Sequence, residues 1–283
     1  MKNILQKEIL EIIKKNFNLK NKFYLHEPNF RKDDEKNIIH CLKTGFVSTS
    51  GKYTRLLEKK LQLYTKSKYV IGTINGTSAI HTLLKILNIQ ENDEVLVPSL
   101  TFVATANSII YCKAIPNFVD VTSYNFGVDP DKLDIYLKKN CIIKNKKCFN
   151  KKTKRYIKAL ICVHIFGHAC SIEKLKLICK KYNLDLIEDA AEGIGSYYKN
   201  KHLGTFANYG VISFNGNKTI TTGGGGAILL SKKNDYLKAL KMVMVNKEKH
   251  PYEYYYKSIG FNYRMPSINA ALGISQLNNI NKL

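Results

Sequence analysis

The stretch YGVISFNGNKTITTGGGGAILLS, residues 209–231, places a lysine and four consecutive glycines between two apolar segments. The apolar segments, 209–214 and 226–231, predict two β-strands joined by the loop that carries Lys218. Consecutive glycines allow positive φ angles and close backbone packing, as expected where a chain wraps a ligand or a neighbouring subunit. No P-loop pattern follows the glycines, and no G-x-G-x-x-G opens a helix after a strand, so a dinucleotide site is unsupported. Lys218 is predicted to be a reactive lysine, since apolar and glycine-rich walls favour the uncharged, nucleophilic form.

Short apolar segments rich in β-branched residues recur along the rest of the chain. They are KYVIG (68–72), EVLVP (94–98), NFVDV (117–121), IKALICVHI (157–165) and LDLIED (184–189). Apolar residues at three- and four-residue spacing predict helices at 77–87, 102–113, 171–183, 234–247 and 267–280. Helices that alternate with apolar strands predict an α/β fold with a mostly parallel sheet, covered by helices on both faces. In such sheets, ligands bind at the carboxyl ends of the strands.

The loop after the first predicted strand, GTINGTSAIHTLL at 72–84, leads into a helix near Ser78. Gly76, Thr77 and Ser78 therefore lie at a helix N-terminus, where backbone N–H groups, the helix dipole and two hydroxyls can hold a phosphate. The alternative is that Thr77 or Ser78 only caps the helix.

A second informative loop is LDLIEDAAEGIGS at 184–196, which delivers Glu188 and Asp189 to the end of a strand. Small residues follow and would let a flat ligand approach the backbone. A carboxylate at this point can pair with a protonated ring nitrogen and keep it charged, as pyridoxal phosphate requires. The alternative is that Asp189 caps a helix.

The loops occur in the order and approximate spacing of fold-type-I pyridoxal-phosphate enzymes, and the sequence resembles the DegT/DnrJ/EryC1/StrS sugar-nucleotide aminotransferases. The stretches that carry the resemblance are HEPNF (26–30), TGFVSTSGKYTRLLE (44–58), NGTSAIHTLL (75–84), VPSLTFVATANSI (97–109), VHIFGH (163–168), EDAAEGIGS (188–196), SFNGNKTITTGGGG (213–226) and GFNYRMPSINAALGISQL (260–277). The first two look similar to the branch that aminates UDP-linked 4-keto-6-deoxy-N-acetylhexosamines. The resemblance implies a mixed, mostly parallel sheet and pyridoxal 5'-phosphate as cofactor.

The resemblance also implies roles for individual residues. Lys218 would hold the cofactor covalently and move the proton, while Asp189 would pair with the pyridinium nitrogen. Phe102 would stack on the ring, and Glu192 stands where many relatives have a glutamine beside the phenolic oxygen. The phosphate would be held by Gly76, Thr77, Ser78 and Ser213, and by Asn262 of the partner subunit in a homodimer with a shared active site. Arg264, in the same N-Y-R motif as Asn262, is a candidate for a structural role.

Three functions are compatible with these features. The favoured one is transfer of an amino group from glutamate to a keto group of a nucleotide-linked deoxy sugar, for cell-surface glycan biosynthesis. Lysine at 218 supports it, since dehydratase relatives have histidine there. A second is a catalytically impaired pyridoxal-phosphate-binding protein, since relatives continue into a C-terminal domain beyond 267–280. The third is nucleic-acid binding through the net charge of +23, but no recognised binding module accompanies that charge.

Three regions are predicted: an N-terminal helix over 1–20, a large cofactor-binding domain over 21–235, and a linker with an incomplete small domain over 236–283. The densest basic run, 138–155, is expected to be a solvated insertion loop.

Composition and spacing exclude several classes of protein. The seven cysteines are scattered, and neither they nor His164 and His168 are spaced as a metal site, so no metal is expected. No apolar run approaches the roughly 18 to 20 residues of a membrane helix, and a cytoplasmic protein is expected.

Overall fold

Within residues 2–17, 26–248 and 250–282, which the computed structural model describes, nine of eleven strands form one central sheet. The strands are β1 (Tyr69–Thr73), β2 (Glu94–Pro98), β3 (Ile115–Val119), β4 (Cys141–Lys144), β5 (Lys147–Asn150), β6 (Arg155–Val163), β7 (Asp185–Asp189), β8 (Tyr197–Tyr198), β9 (Lys201–His202), β10 (Tyr209–Ser213) and β11 (Gly226–Leu230). Strands β8 and β9 pair only with each other, as a separate ribbon.

The central sheet has the strand order β1-β11-β10-β7-β6-β2-β3. Strands β10, β7, β6, β2 and β3 are mutually parallel, and β11 is antiparallel to both β1 and β10. The prediction of a mixed, mostly parallel sheet is therefore confirmed. Since β1, β2, β6, β7 and β10 point the same way, the loops that follow them meet at one edge of the sheet.

Helices cover both faces of this sheet. They are α1 (Lys2–Phe17), α2 (Lys32–Lys43), α3 (Lys52–Thr65), α4 (Gly76–Ile86), α5 (Val103–Ile110), α6 (Pro130–Asn140), α7 (Ile172–Tyr182), α8 (Lys233–Val243) and α9 (Ser267–Asn278), with short 3₁₀ turns at Ile165–Gly167 and Ile280–Lys282. The helix predicted over 1–20 is α1, and residues 1 and 18–20 of that prediction lie outside the described residues. No helix in the described part of the chain is both long and apolar enough to cross a bilayer.

Alternation along the strands divides the core between the two faces. Ile71 and Val211 belong to a buried cluster with α4, α5 and α8. Their neighbours Val70 and Ile212 point the other way, into a cluster with α3 and α9. Farther along that second face, Leu160 packs with α6 and α7. Burial on both faces explains why these strands are apolar throughout instead of alternating with polar residues.

The basic residues 138–155 form regular structure, so the expectation of a solvated loop is wrong. Strands β4 and β5 make an antiparallel hairpin, and β5 extends the sheet by pairing with β6. Asn145 and Lys146 turn the chain with φ of 51° and 57°, the positive values that two-residue hairpin turns require. Cys148 and Asn150 are buried. The inward residues anchor the hairpin while its lysines remain in solvent.

Helix α9 returns the end of the chain to the beginning of the fold. It packs against both α2 and α3. Gln276 Nε2 donates to Asp34 Oδ2 at 2.9 Å, and the Ser275 hydroxyl donates to the other oxygen of the same carboxylate. All three side chains are buried, so these hydrogen bonds fix the position of α9 relative to α2.

A buried ion pair supports a structural role for Arg264. Its Nη2 donates to Glu58 Oε2 at 2.8 Å, and Nη1 donates to Oε1 of the same carboxylate. Glu58 Oε1 also accepts the Gly72 N–H at 2.7 Å. The side chains are only 7% and 11% exposed. Arg264 therefore ties the segment after α8 to α3 and β1 through a two-pronged contact that suits the guanidinium group.

Arg264→Lys is expected to lower the free energy of unfolding by about 1.5–3 kcal/mol, since one ammonium group cannot replace both guanidinium hydrogen bonds. Urea denaturation followed by circular dichroism measures this change. Arg55→Lys, an exposed position on the same helix as Glu58, is the matched control and should change stability by less than about 0.5 kcal/mol. Equal effects of the two substitutions would contradict a structural role for Arg264.

Candidate active site

Lys218 lies in the loop between β10 and β11, at the edge where the parallel strands end. Its backbone N–H donates to Asn215 O at 3.0 Å, which closes a tight turn. Its Nζ contacts Glu192 Oε1 at 3.0 Å, and the side chain is 18% exposed. The other oxygen of Glu192 accepts the Phe166 N–H at 2.9 Å. Glu192 thus holds the lysine against the loops that follow β6 and β7.

The glycine-rich segment after Lys218 runs directly beside the start of α4. A Cβ added to Gly226 would lie 2.6–2.7 Å from the Asn75 carbonyl and the Gly76 nitrogen, closer than any side chain permits. Gly223 has φ of +77°, a conformation that side chains rarely adopt. Glycine is therefore required at both positions, and the lysine loop and the α4 loop meet through their backbones.

Asp189 ends β7 as a buried carboxylate. Its Oδ2 accepts the Thr105 hydroxyl at 2.8 Å, and its Oδ1 accepts the Ala191 N–H at 3.1 Å. Burial raises the pKa of Asp189, while the Thr105 and Ala191 hydrogen bonds, His164 and Lys218 act to lower it. The residues that follow form a turn, so the alternative that Asp189 caps a helix is wrong. Among the described residues, no basic side chain forms an ion pair with this carboxylate.

Helix α4 starts at Gly76, and Asn75 caps it. The Asn75 side chain accepts the Ser78 N–H at 2.7 Å, so the alternative that Thr77 or Ser78 is the cap is wrong. A Cβ added to Gly76 would lie 3.4 Å from Ser213 Cβ. The helix start and the end of β10 are therefore neighbours, which brings the predicted phosphate ligands together. The Ser78 side chain is buried in the helix, and Thr77 is half-buried.

Phe102 stands immediately before α5, with 76% of its surface exposed. Its carbonyl accepts the Thr105 N–H at 3.1 Å. Thr105 in turn shares a hydroxyl hydrogen bond of 2.8 Å with Thr101 and donates to Asp189. This short turn therefore carries an open aromatic ring beside the loop that holds the buried carboxylate.

Asn262 is exposed on a segment that lies beside the α4 loop. It forms an isolated bridge with Met244, and the carbonyl of its neighbour Tyr263 accepts the Ile74 N–H at 2.9 Å. The segment therefore reaches the same edge of the sheet as the predicted phosphate ligands. Its contact with a partner subunit stays a prediction.

Residues 28–283 match the model of the DegT/DnrJ/EryC1/StrS aminotransferase family. The chain belongs to this family. It is 36% identical over 253 residues to the GDP-perosamine synthase of Escherichia coli O157:H7, a match that covers 89% of this chain and 65% of that protein. It is 30% identical over 259 residues to the UDP-4-amino-4,6-dideoxy-N-acetyl-beta-L-altrosamine transaminase of Helicobacter pylori, with 90% and 64% covered.

A similar solved structure is that of NtdA from Bacillus subtilis with bound cofactor PMP, the amine form of pyridoxal phosphate. It has a TM-score of 0.76 and 27% identity, and the match covers 94% of this chain and 59% of that one. The DegT/DnrJ/EryC1/StrS chain described here therefore has the fold-type-I architecture. It spans less than two thirds of the length of the curated relatives it matches.

Pyridoxal phosphate is the cofactor of the DegT/DnrJ/EryC1/StrS aminotransferases, and the edge of the sheet fits it. The buried Asp189 carboxylate, which has no basic partner in the part of the chain that the structure describes, suits a protonated ring nitrogen. Backbone N–H groups at the start of α4, beside the Ser213 hydroxyl, suit a phosphate. Lys218 offers an amine between these two positions along the edge. The charge and hydrogen-bonding groups of the site therefore suit the ring nitrogen, the phosphate and the aldehyde of pyridoxal phosphate.

Sequence reasoning missed two residues that organise this DegT/DnrJ/EryC1/StrS site. Asn75 immediately precedes the helix, and the preference for asparagine at N-caps was a signal that could have found it. Thr105 bonds to Asp189 across 84 positions of sequence, and nothing local to either residue predicts that contact. The role of Glu192, open in the sequence, is now a direct contact with Lys218.

Proposed function

We propose that the chain catalyses pyridoxal-phosphate-dependent transfer of an amino group to a keto group of a nucleotide-linked sugar. The observation that carries the proposal is the joint arrangement of Lys218 and Asp189. One end of the candidate site has a largely buried amine held by Glu192. The other has a buried carboxylate that lacks a basic partner among the described residues. Transamination needs a base and an anion at these two places.

Bound pyridoxal phosphate would supply an electron sink that stabilises negative charge on the substrate carbon. Lys218 Nζ would hold the cofactor in the resting enzyme and carry the proton to and from the substrate carbon. Asp189 would keep the ring nitrogen protonated, because its own negative charge favours the cationic form. Glu192 would position Lys218 through the 3.0 Å contact.

The remaining proposed ligands bind and orient the cofactor. The exposed face of Phe102 would cover the ring, since an aromatic face excludes water from a flat ligand. The phosphate would be held by Gly76, Thr77, Ser78 and Ser213, and by Asn262 of a second subunit. The last assignment makes the site depend on a homodimer.

The proposed substrates follow from the relatives. One is named for a GDP-linked sugar and another for a UDP-linked sugar, so the proposed acceptor is a nucleoside-diphosphate-linked keto sugar. The proposed amino donor is glutamate. The HEPNF and VSTSGKY segments favour UDP-linked 4-keto-6-deoxy-N-acetylhexosamines, and the aminated product would serve cell-surface glycan synthesis.

The test separates the two half-reactions. Chain loaded with cofactor is mixed with L-glutamate, and 2-oxoglutarate is quantified. One equivalent per loaded chain is expected without acceptor, because the cofactor keeps the amino group. Continuous formation is expected only after a UDP- or GDP-linked 4-keto-6-deoxy sugar is added. Absence of 2-oxoglutarate from the loaded chain, without acceptor and with each acceptor, would reject transamination from glutamate by this chain.

A second candidate is a pyridoxal-phosphate-binding protein without turnover. Residues 236–283 are the proposed start of a smaller domain under either candidate. Cofactor that binds at one equivalent per chain but yields no 2-oxoglutarate would support this candidate. The same experiment therefore decides between the two.

A further inference from the structure

A cluster of three soft ligands lies under the loop that follows β6. Cys162 belongs to β6, His164 directly follows that strand, and Cys170 precedes α7. The three residues are 0%, 1% and 3% exposed. One ligand atom from each, two sulfurs and an imidazole nitrogen, lie within 4.8 Å of one another. Neither the sheet nor the candidate active site requires this combination of residues.

The imidazole of His164 is oriented by a buried carboxylate. His164 Nε2 lies 3.0 Å from Glu188 Oε2. Glu188 also accepts backbone N–H groups from Gly204 and Ala207, so its oxygens act as acceptors and Nε2 carries the proton. The lone pair is then on Nδ1, which accepts the Cys170 N–H at 3.2 Å. A histidine whose far nitrogen donates to a carboxylate is the usual arrangement at metal sites in proteins.

Charge balance selects the class of metal. Thiolates and imidazole are the ligands that zinc prefers, whereas calcium and magnesium prefer oxygen. Two thiolates and a neutral imidazole carry a charge of −2, which a divalent cation cancels. With the buried Glu188 carboxylate included, the cluster carries −1 both before and after two thiol protons are exchanged for a divalent cation, so binding adds no uncompensated buried charge.

We propose that Cys162, His164 and Cys170 form a zinc site with three protein ligands. Binding converts both thiols to thiolates and releases two protons to solvent, while Nδ1 exchanges its hydrogen bond with Cys170 for the metal. Zinc–sulfur bonds of about 2.3 Å and zinc–nitrogen bonds of about 2.0 Å place tetrahedral ligands roughly 3.5–3.8 Å apart. Since the ligand atoms already lie within 4.8 Å, movements of about 1 Å complete the site.

The ion would act on the edge of the sheet through the loop that it closes. The backbone N–H of His164 donates to the backbone carbonyl of Asp189 at 3.0 Å. Phe166, two residues later, donates to Glu192, the partner of Lys218. Zinc would therefore fix the segment between Cys162 and Cys170 and, with it, the residues that hold the reactive lysine. The site itself does not depend on the chain being an aminotransferase.

The proposal is tested by titrating the purified, metal-free chain with Co²⁺ in a buffer that contains a phosphine reductant, which keeps the cysteines as thiols. One equivalent of Co²⁺ is expected to produce a thiolate-to-cobalt charge-transfer band in the near ultraviolet, and one equivalent of Zn²⁺ should abolish it. Cys162→Ser and Cys170→Ala should each weaken Zn²⁺ binding by at least about 10-fold, since even the loss of a residue that only hydrogen-bonds to a metal ligand has an effect of that size. Cys112→Ser, at a buried cysteine of a different core cluster, should bind as the unaltered chain does.

Two results would overturn the proposal. One is a folded, reduced wild-type chain that binds no Co²⁺ or Zn²⁺ at one equivalent, which decides the matter even if the variants do not fold. The other is undiminished one-to-one binding in both folded variants, which would place the metal on other residues.

Discussion

Lys218→Ala is expected to abolish covalent retention of pyridoxal phosphate after borohydride reduction, and to slow 2-oxoglutarate formation by at least roughly 10³-fold. The amine is the group that would bond to the cofactor, and it is also the proposed proton carrier. No other lysine is described in contact with Glu192. Mass spectrometry of the reduced, digested protein measures the first effect, on a peptide that contains residue 218.

Lys199→Ala is the matched control for this substitution. Lys199 is exposed and pairs with Glu173, away from the candidate site. It should retain the cofactor as the unaltered chain does. Cofactor attached to another lysine in the unaltered chain, or retained by Lys218→Ala, would refute the assignment of Lys218.

Asp189→Asn is expected to weaken cofactor binding by about 10²–10³-fold, corresponding to about 3–4 kcal/mol for loss of one partner of a buried ion pair. Asparagine has nearly the same shape, and its oxygen can still accept the Ala191 N–H. Its amide group can donate to the Thr105 oxygen once that hydroxyl turns to donate to Thr101, so the main change is the loss of charge. Equilibrium titration of the metal-free apo chain with pyridoxal phosphate, followed by absorbance, gives the two dissociation constants.

Asp185→Asn provides the comparison for Asp189, since Asp185 begins the same strand at the opposite edge of the sheet. Its cofactor affinity should stay within about 2-fold of the unaltered chain, as expected for a surface site. Equal affinities for the Asp189→Asn and unaltered chains would show that the carboxylate does not meet the ring nitrogen.

The sheet was predictable because its strands are buried on both faces. Val70 and Ile71 fill opposite faces, so the segment that contains them is apolar without interruption. The helices between such segments are recognised by apolar residues at three- and four-residue spacing. The hairpin of β4 and β5 was missed because its buried residues are only Cys141, Cys148 and Asn150, which is too short a pattern to stand out among lysines. Asn145 and Lys146 also lack the glycine that commonly marks a two-residue turn.

The candidate site was predictable where its chemistry lies within a single loop. Lys218 with its glycines, and Asp189 at the end of an apolar strand, are visible in local sequence. Contacts between loops were not predictable in this way. Thr105 meets Asp189, and Glu188 meets His164, only because parallel strands bring their carboxyl ends together. Because Cys162, His164 and Cys170 do not follow a regular metal-site spacing, the sequence did not show that their thiol and imidazole groups lie together.

Helix α9 lies near the end of the chain but packs against α2 and α3, which lie near its beginning. Helix α9 belongs to the same apolar cluster as α3. The Asp34 carboxylate of α2 accepts hydrogen bonds from two side chains of α9. Residues 250–259, in contrast, are exposed. If a protease cleaved the backbone there, the two fragments would stay bound to each other. The contacts of α9 with α2 and α3, and not the intact backbone, would hold the helix in place.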